Sequence, residues 1–384
     1  MSVVSMVFGV RRFAAVVLAA VALALAPSAP ACAQSFRETL VEWAVRLDAR
    51  AAELETQPAL PVTQIGRGPL LRKGVDGERV ERLARRLVEL GYLPPERQSA
   101  VFTEAMDAAV RAFQLSQGLR VDGVVGGGTR VALDRTPHEA ARLMRRSAEA
   151  MRAFYAAAPE SVLLVNLPSQ ETMLVRGDRV ELVIRSIVGR PSRETPLLED
   201  RLTHIIVNPT WTVPPTVLKQ DKLPNLRATG ATGIENATVF LDGEPVDPAT
   251  VDWSRVSHRR VRIVQQPGDW NALGRFRFNL TNRDNIYLHG TNEPRLFERD
   301  VRTISSGCVR LADPRALAEL LLAEVGVTPE RIDRMLERGD TQWIKVRPLA
   351  VRFVYWTATV LPDGTVRLHP DVYDLTDEHV ASRT

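Results

Sequence analysis

The stretch LHGTNEPRLFERDVRTISSGCVRL, residues 288–311, places His289 and Cys308 nineteen positions apart and surrounds the cysteine with small residues. Residues 305–307, Ser-Ser-Gly, would make a poor core strand, but they let the backbone of another peptide approach the sulfur. Gly307 also suits the backbone angles that direct amide groups towards a developing oxyanion. These neighbours favour a reactive thiol at Cys308 over a side chain that only fills the core.

The N-terminus has the three parts of a cleavable signal peptide, which we predict to span residues 1–33. Two arginines precede the apolar run 13–26, which is too short to span a bilayer comfortably, and small residues follow it up to Ala33. The signal would export the chain to the periplasm, and cleavage after Ala33 would leave a mature chain without a transmembrane span. It would also remove Cys32, although lipid attachment at Cys32 is an alternative that the residues before it disfavour.

The chain of 384 residues has two cysteines, Cys32 and Cys308, so the mature protein is expected to hold a single thiol. A lone cysteine in an exported protein is a buried hydrophobe, an intermolecular link or a reactive group. As a nucleophile it needs a base, because an unperturbed thiol with a pKa of about 8.5 is only slightly ionised at neutral pH. A nearby imidazole can take the proton, and the resulting ion pair would keep the sulfur charged.

Among the six histidines of the sequence, His289 is the best candidate for this base. It ends the apolar run NIYL, which predicts a strand that would hold the ring in a fixed position. Gly290 follows directly and lets the chain turn sharply. An arbitrary histidine is more often structural, but the combination with the Ser-Ser-Gly-Cys run favours a catalytic role here.

The charge pattern argues against nucleic-acid binding. The pI is near 9.3, but the formal net charge is only +4, and loss of the two signal-peptide arginines leaves +2. The 50 basic and 46 acidic residues are interspersed, so no basic stripe runs along the chain. With 45% hydrophobic residues the chain can bury a sizeable core, and its length is typical of two domains.

Hydrophobic periodicity divides the mature chain into helical and β-rich parts. Residues 35–69 are predicted to form an N-terminal helix and a linker, residues 70–135 a three-helix bundle, and residues 137–157 a connecting helix. From residue 160 to residue 375, short Val- and Ile-rich runs separated by turn residues predict a β domain. The Pro-interrupted residues 211–257 break this pattern and are predicted to be an inserted subdomain.

Two further signals lie in the C-terminal part of the β-rich region. Asp313 and Pro314 predict the start of a helix, with the aspartate as N-cap and the proline at the first helical position. The Pro-Asp-Gly sequence at 362–364 predicts the turn of a closing hairpin.

The 70–135 segment resembles the peptidoglycan-binding type 1 domain. The matching residues, in chain order, are Leu87, Leu90, Gly91, Tyr92, Leu93, Ala109, Val110, Phe113, Gln114, Gly118, Leu119, Asp122, Gly123, Gly126 and Thr129. The resemblance implies a three-helix fold that docks on cell-wall glycan or stem peptide, or that serves only as a scaffold.

The sequences HGT at 289–291 and SSGCVRL at 305–311 resemble the L,D-transpeptidase catalytic domain of the YkuD type. Four more stretches resemble periplasmic murein transpeptidases with a capping insertion, namely IVGRPSRETP (187–196), NPTWTVPP (208–215), QQPGDWNALGRFRF (265–278) and IYLHGT (286–291). The resemblance implies an α+β fold, in which a mostly-β catalytic domain with an inserted capping subdomain accompanies the small three-helix domain. Many relatives have a second histidine where this chain has Ser306, so no role of that histidine carries over.

The family implies peptidoglycan cross-linking between donor and acceptor stem peptides, with no metal or organic cofactor. Cys308 would attack the carbonyl that joins the third stem residue to the terminal D-alanine, with His289 as base and then as acid. The acyl-thioester would pass to the side-chain amine of a neighbouring stem, giving a 3→3 cross-link. The Gly290 carbonyl would orient the imidazole, and amides around Gly307 and Cys308 would form the oxyanion hole. Candidate substrate-binding residues are Arg310, Ser306, Tyr287 and Trp211. Arg310 could pair with a substrate carboxylate or with a structural acid, and Tyr287 and Trp211 could line the cleft.

Other functions remain open at this point. The same acyl-enzyme could transfer to water, to a free D-amino acid or to a lipoprotein amine, and other wall-synthesis proteins are conceivable partners. A different class of function is a non-catalytic scaffold that binds the wall through residues 70–135. Wall-cleaving cysteine enzymes of the NlpC/P60 kind are disfavoured, because they place the cysteine before the histidine in the chain.

Overall fold

The computed structural model of the protein describes residues 35–58, 61–117, 119–177 and 179–376. The predicted signal peptide, Cys32 and the matched Gly118 lie outside the described residues. Within the described part, the residues from Phe36 onward form one compact unit. None of the described helices is both long and apolar enough to cross a membrane.

The first part of the unit is helical, as predicted. Its helices are α1 (Phe36–Glu55), α2 (Glu78–Glu89), α3 (Glu104–Ser116), α4 (Gly127–Asp134) and α5 (Pro137–Ala157), with a 3₁₀ turn at Pro95–Arg97. Two threonines set helix starts: the Thr103 hydroxyl accepts the Met106 amide at α3, and Thr136 forms a capping box with Glu139 at α5.

Helices α2 to α4 pack around their own core, which confirms the prediction of a three-helix unit. The buried side chains follow the predicted helical stripes and include Val80, Leu83, Leu87, Met106, Val110, Phe113 and Leu133. Gln114 is 1% exposed, and its side-chain carbonyl accepts the backbone amides of Asp122 and Gly123. This buried amide therefore fixes the turn before α4.

The rest of the unit is built on strands. They are β1 (Ser161–Asn166), β2 (Glu171–Arg176), β3 (Arg179–Gly189), β4 (Leu198–Val207), β5 (Trp211–Thr212), β6 (Ala237–Leu241), β7 (Glu244–Val246), β8 (Val261–Gln265), β9 (Phe276–Leu280), β10 (Leu288–His289), β11 (Thr303–Ser305), β12 (Val309–Leu311), β13 (Gln342–Val354), β14 (Ala358–Val360) and β15 (Val366–Leu368). The main sheet has the order β11-β3-β12-β10-β9-β4-β13-β1-β2, and β14 pairs with β15 in the predicted hairpin.

The two faces of the main sheet have different coverings. On one face, Phe276, Phe278, Leu288 and Val309 join a core with helices α8 (Pro314–Ala323) and α9 (Pro329–Arg338). Asp313 caps α8 by accepting the Ala316 amide at 3.0 Å, which confirms the predicted helix start. On the other face, α1 and α5 cover only the β1 side of the sheet, where Val162 and Leu164 are buried.

The insertion forms a small sheet of its own, in the order β5-β8-β6-β7. Its helical part consists of α6 (Pro215–Val217), a π turn (Leu218–Lys222) and α7 (Leu223–Thr229), followed by 3₁₀ turns at Pro248–Thr250, Trp253–Arg255 and His258–Arg260. The predicted end at residue 257 is wrong by one strand, because β8 pairs with β5 and β6 of the insertion. The strand pattern of β8 alone does not reveal which sheet it joins.

Candidate active site

Three neighbouring strands of the main sheet align the side chains that matter for chemistry. In the β9–β10 pair His289 lies opposite Arg277, and in the parallel β10–β12 pair it lies opposite Arg310. Residues that pair directly across strands direct their side chains to the same face. Arg277, His289 and Arg310 therefore form one row, on the face opposite to the helix-covered core.

Cys308 lies in the next row of the same face, immediately before β12. The Val309 amide donates to the Tyr287 carbonyl at 3.2 Å, which places Tyr287 beside the cysteine. The Cys308 sulfur lies 3.5 Å from the Asn285 carbonyl oxygen, to which the thiol can donate. On adjacent strands, diagonal neighbours two residues apart have Cα atoms separated by about 8 Å, so Cys308 and His289 are diagonal neighbours.

The thiol is accessible, whereas the imidazole is enclosed. Cys308 is partly exposed and has no disulfide partner in the described chain. His289 is only 5% exposed, and its Nδ1 lies 2.6 Å from the carbonyl oxygen of Gly290. Because a carbonyl can only accept, Nδ1 carries the proton and Nε2 is left as the basic nitrogen. This is the orientation that the resemblance implied for Gly290.

Gly290 also has a steric reason to be glycine. A Cβ at this position would lie 3.1 Å from the Leu273 carbonyl oxygen and 3.2 Å from the Pro314 ring. These contacts are tighter than an added methyl group tolerates easily. The close approach of the chain at Gly290 therefore helps to hold the carbonyl against the imidazole.

The electrostatics favour uncharged forms of both reactive groups. Burial lowers the pKa of His289 to about 3, and the positive charges of Arg310 and Arg277 act in the same direction. Burial raises the pKa of Cys308 to about 11. Hydrogen bonds with Tyr287 and the positive charges of Arg277 and Arg310 oppose this shift. Both shifts disfavour the charged forms, so they oppose the expected resting thiolate–imidazolium pair, which stays a prediction.

The loop before Cys308 is held by side-chain hydrogen bonds. The Ser305 hydroxyl donates to the Cys308 carbonyl at 2.6 Å and accepts the Gly307 amide at 3.1 Å. Thr195 donates to the Gly307 carbonyl at 2.7 Å, and Gly307 has a φ of 116°, which favours glycine. The Gly307 amide, expected in the oxyanion hole, is already used by Ser305.

Ser306 connects this loop to the insertion. Its hydroxyl accepts a hydrogen bond from Arg193 at 3.0 Å. The same guanidinium binds both carboxylate oxygens of Asp221, at 2.7 and 2.8 Å, and also contacts Gln220. The Arg193 hydrogen bond lowers the pKa of Asp221, so this carboxylate is charged at neutral pH. Ser306 is thus part of a link between the catalytic loop and the π turn of the insertion.

Comparison with known proteins adds a family to this geometry. Residues 160–344 match the family model described as "YkuD: L,D-transpeptidase catalytic domain". Residues 160–344 are a YkuD-family catalytic domain. Residues 76–133 match the model described as "Putative peptidoglycan binding domain", within the helical unit formed by α2 to α4.

Individual relatives of the YkuD domain are more distant or only partly covered. The "Putative L,D-transpeptidase" of Haemophilus influenzae is 35% identical over 213 residues, which are 55% of this chain and 44% of that protein. The chain thus spans less than half the length of this curated relative. Two crystal structures are also similar. L,D-transpeptidase 3 from Mycobacterium tuberculosis is 12% identical, covers 51% of this chain and 61% of that chain, and has a TM-score of 0.26. The L,D-transpeptidase from Stackebrandtia nassauensis is 14% identical, covers 77% of this chain and 97% of that chain, and has a TM-score of 0.24. TM-scores this low add nothing to the assignment.

Arg310 of the YkuD domain has a protein partner. Its guanidinium lies 3.1 Å from Glu293 and 3.5 Å from the Thr291 hydroxyl. Its Nε is buried and has no hydrogen-bond partner in the described residues. A role in binding a substrate carboxylate, expected from the sequence, stays a prediction, and Arg310 would have to share that role with its salt bridge to Glu293.

Tyr287 and Trp211 lie on the cysteine side of the YkuD domain, where both were expected to line the cleft. Tyr287 is 7% exposed, and its ring centre is 5.6 Å from that of His289. The pKa of Tyr287 is raised, mainly by burial and also by Cys308, while Arg277 and a hydrogen bond from Trp211 oppose the shift. Trp211, at the start of the insertion, therefore reaches the tyrosine beside the thiol.

Two arginines of the site were not singled out from the sequence. The Arg277 guanidinium lies 4.0 Å from the centre of the Tyr287 ring and beside His289 in the strand row. The alternation in RFRF, residues 275–278, is a signal that could have found it, because the phenylalanines face the core. Arg193 had no such signal, because its partners lie more than twenty residues away in the chain.

Proposed function

We propose that the protein is an exported peptidoglycan L,D-transpeptidase that forms 3→3 cross-links, with Cys308 as nucleophile and His289 as general base and acid. The observation that carries the proposal is an accessible thiol diagonal to a buried imidazole whose Nδ1 is held by the Gly290 carbonyl. That arrangement leaves the basic Nε2 free to accept a proton. The YkuD assignment of residues 160–344 supports the choice of peptidoglycan as substrate.

In the proposed first half-reaction, the Cys308 sulfur attacks the carbonyl carbon of the third stem residue while Nε2 of His289 takes the thiol proton. Because burial disfavours both the thiolate and the imidazolium, we propose that proton transfer accompanies the attack instead of preceding it. The amide of Cys308 is the backbone donor that we assign to the oxyanion, since the Gly307 amide donates to Ser305. His289 then protonates the leaving D-alanine amine, and the acyl-thioester remains.

In the second half-reaction, the side-chain amine of an acceptor stem attacks the thioester carbonyl. Nε2 of His289 takes a proton from the amine and returns it to the departing Cys308 sulfur, so that the thiol is restored and the cross-link is an amide. The arginines Arg277 and Arg310 would stabilise negative charge on sulfur and substrate, while they disfavour an imidazolium at rest. The export signal and residues 76–133 would bring this chemistry to the wall.

The test is the reaction of the purified protein with disaccharide-tetrapeptide, followed by mass spectrometry of the products. The wild type should form 3→3 dimers, and Cys308→Ala should form none while its circular dichroism stays unchanged. Dimers formed by Cys308→Ala would refute the assigned nucleophile. If the wild type gives only tripeptide, the acceptor is water and the protein is an L,D-carboxypeptidase.

The scaffold alternative is tested by acylation with a carbapenem, which reacts with the cysteine of this family. An adduct on Cys308 is expected, and mass mapping of the tryptic peptide will locate it. A protein that folds but gives neither adduct nor product would act as a wall-binding scaffold.

A further inference from the structure

Gly307 and Cys308 together have four backbone polar groups, and side chains bind three of them. Ser305 accepts the Gly307 amide and donates to the Cys308 carbonyl, and Thr195 donates to the Gly307 carbonyl at 2.7 Å. The fourth group, the Cys308 amide, has no hydrogen-bond partner among the described residues. The loop therefore leaves free the donor that we assign to the oxyanion.

The hydrogen bond from Thr195 acts on the same peptide unit as this free donor. The Gly307 carbonyl and the Cys308 amide belong to one peptide bond, which is trans, since the described chain has no cis peptide bond. In a planar trans peptide the C=O and N–H bonds point in opposite directions. Because Thr195 holds the carbonyl, it also fixes the direction of the Cys308 amide. A hydrogen bond at the carbonyl polarises the peptide as well, which strengthens its N–H as a donor.

The orientation of the Thr195 hydroxyl is itself determined by its two partners. The Gly189 amide lies 2.8 Å from the hydroxyl oxygen and can only donate. The Gly307 carbonyl can only accept, so the single hydroxyl proton goes to that carbonyl. Thr195 is 1% exposed, so this arrangement lies inside the protein.

A tyrosine from the C-terminal segment holds Thr195 in place. The Tyr373 hydroxyl accepts the Thr195 amide at 3.2 Å and donates to the Gly189 carbonyl at 2.8 Å. The chain is tightly folded here, because a Cβ at Gly189 would lie 2.3 Å from the Arg193 carbonyl oxygen and 2.6 Å from the Thr195 amide nitrogen. Tyr373 therefore joins the two ends of the turn from Gly189 to Thr195.

We propose that Thr195 is a positioning residue for the oxyanion hole, which directs the Cys308 amide at the oxygen of the attacked carbonyl, and that Tyr373 supports Thr195 in this role. The inference rests on the proposed function, because it assumes that an oxyanion forms beside Cys308. Thr195 lies in the stretch 187–196, whose resemblance to murein transpeptidases assigned it no role.

The experiment compares two reactions of the Cys308 sulfur in the whole protein. Acylation by a carbapenem attacks a carbonyl and forms an oxyanion, whereas alkylation by iodoacetamide displaces iodide from a saturated carbon and forms none. Thr195→Val, which removes the hydroxyl and keeps the shape, should lower the maximal acylation rate about tenfold. The carbapenem concentration that gives half of this rate, and the alkylation rate at about pH 9, should stay unchanged.

Two further variants and a control accompany this comparison. Thr195→Ser keeps the hydroxyl and should restore the acylation rate. Tyr373→Phe should slow acylation less than Thr195→Val does and should also leave alkylation unchanged. The matched control is Thr357→Val, which removes a similarly buried hydroxyl that donates to the Leu143 carbonyl, and it should change neither rate.

Equal acylation rates of the wild type and Thr195→Val, or equal slowing of both reactions, would overturn the positioning role. If Thr195→Val does not fold, Tyr373→Phe decides in its place, because only slower acylation with unchanged alkylation supports the role. A failure of the proposed function has a different signature. A wild type that the carbapenem does not acylate would overturn the assigned nucleophile, and the positioning role with it.

Discussion

At the scale of single residues, burial favours the uncharged forms of Cys308 and His289, the proposed nucleophile and base. Enclosure of His289 and partial burial of Cys308 disfavour the ion pair that an exposed Cys-His pair can form. The two flanking arginines oppose an imidazolium and favour a thiolate, but burial has the larger effect on both groups. The thiol should therefore react slowly with simple alkylating agents such as iodoacetamide near neutral pH.

Alkylation of Cys308 by iodoacetamide tests directly whether the thiol is uncharged at neutral pH. Because the pKa of the thiol is about 11, the thiolate fraction and the alkylation rate should rise about tenfold per pH unit between pH 7 and pH 10. The rate is followed by mass spectrometry of the peptide that contains Cys308. The alkylation rate should rise with pH because the raised pKa of the thiol leaves little thiolate at neutral pH.

The contrary outcome is a rate that is already constant from pH 6 upwards, as a preformed ion pair would give. Cys308→Ser is the control, because the serine variant should show no alkylation of that peptide at any pH.

At the scale of elements, one arginine joins the insertion to the catalytic loop. Arg193 follows β3, binds Asp221 in the π turn and donates to Ser306, which is two residues before Cys308. Its side chain is partly buried, and it binds both carboxylate oxygens of Asp221, a geometry that adds specific positioning as well as strength. The insertion is thus fixed to the loop whose conformation positions Cys308.

A double-mutant cycle on Arg193→Ala and Asp221→Ala measures this link. Each variant should slow carbapenem acylation of Cys308 about tenfold, because the loop loses its support, and the double variant should be little slower than either. Arg260→Ala, which removes a similar paired arginine inside the insertion, is the matched control and should leave the rate unchanged. Additive effects of the two changes would show that Arg193 and Asp221 act independently.

The sequence predicted elements better than it predicted their pairing. Helix α5, with its apolar stripe, and the start of α8 at Asp313 were foreseen because their signals are local. The assignment of β8 to the insertion was missed, since a strand pattern does not say which sheet will accept the strand. The candidate roles of Cys308 and His289 followed from their motifs, whereas the position of Arg277 beside His289 depends on strand register.

At the scale of the whole molecule, two buried histidines should make the free energy of unfolding depend on pH. Burial lowers the pKa of both His289 and His369 to about 3, and each is stabilised as the neutral form. His369 lies in the C-terminal hairpin, where its Nε2 is 2.9 Å from the Thr359 hydroxyl. In the unfolded chain both rings would titrate at about 6.5, so between roughly pH 3 and 6.5 the unfolded state binds more protons.

The free energy of unfolding should therefore decrease as the pH is lowered from 7.5 to 5. Below their unfolded pKa, each histidine contributes a slope approaching about 1.4 kcal/mol per pH unit. Urea unfolding at several pH values measures this slope, and His369→Gln, which can still hydrogen-bond to Thr359, should roughly halve it. A stability that does not change over this range would contradict the neutral burial of both rings.

The packing of α1 on the rest of the molecule limits where the chain can be truncated for recombinant expression. Phe36, Leu40 and Leu47 share a buried cluster with Leu164 and Trp356, although the matched YkuD segment begins only at residue 160. A recombinant fragment limited to residues 160–344 would expose the hydrophobic surface that α1 covers. We expect such a fragment to precipitate or to be digested by proteases during expression. Helix α1 therefore packs as part of the fold that contains the YkuD segment, although about a hundred residues separate the two in the sequence.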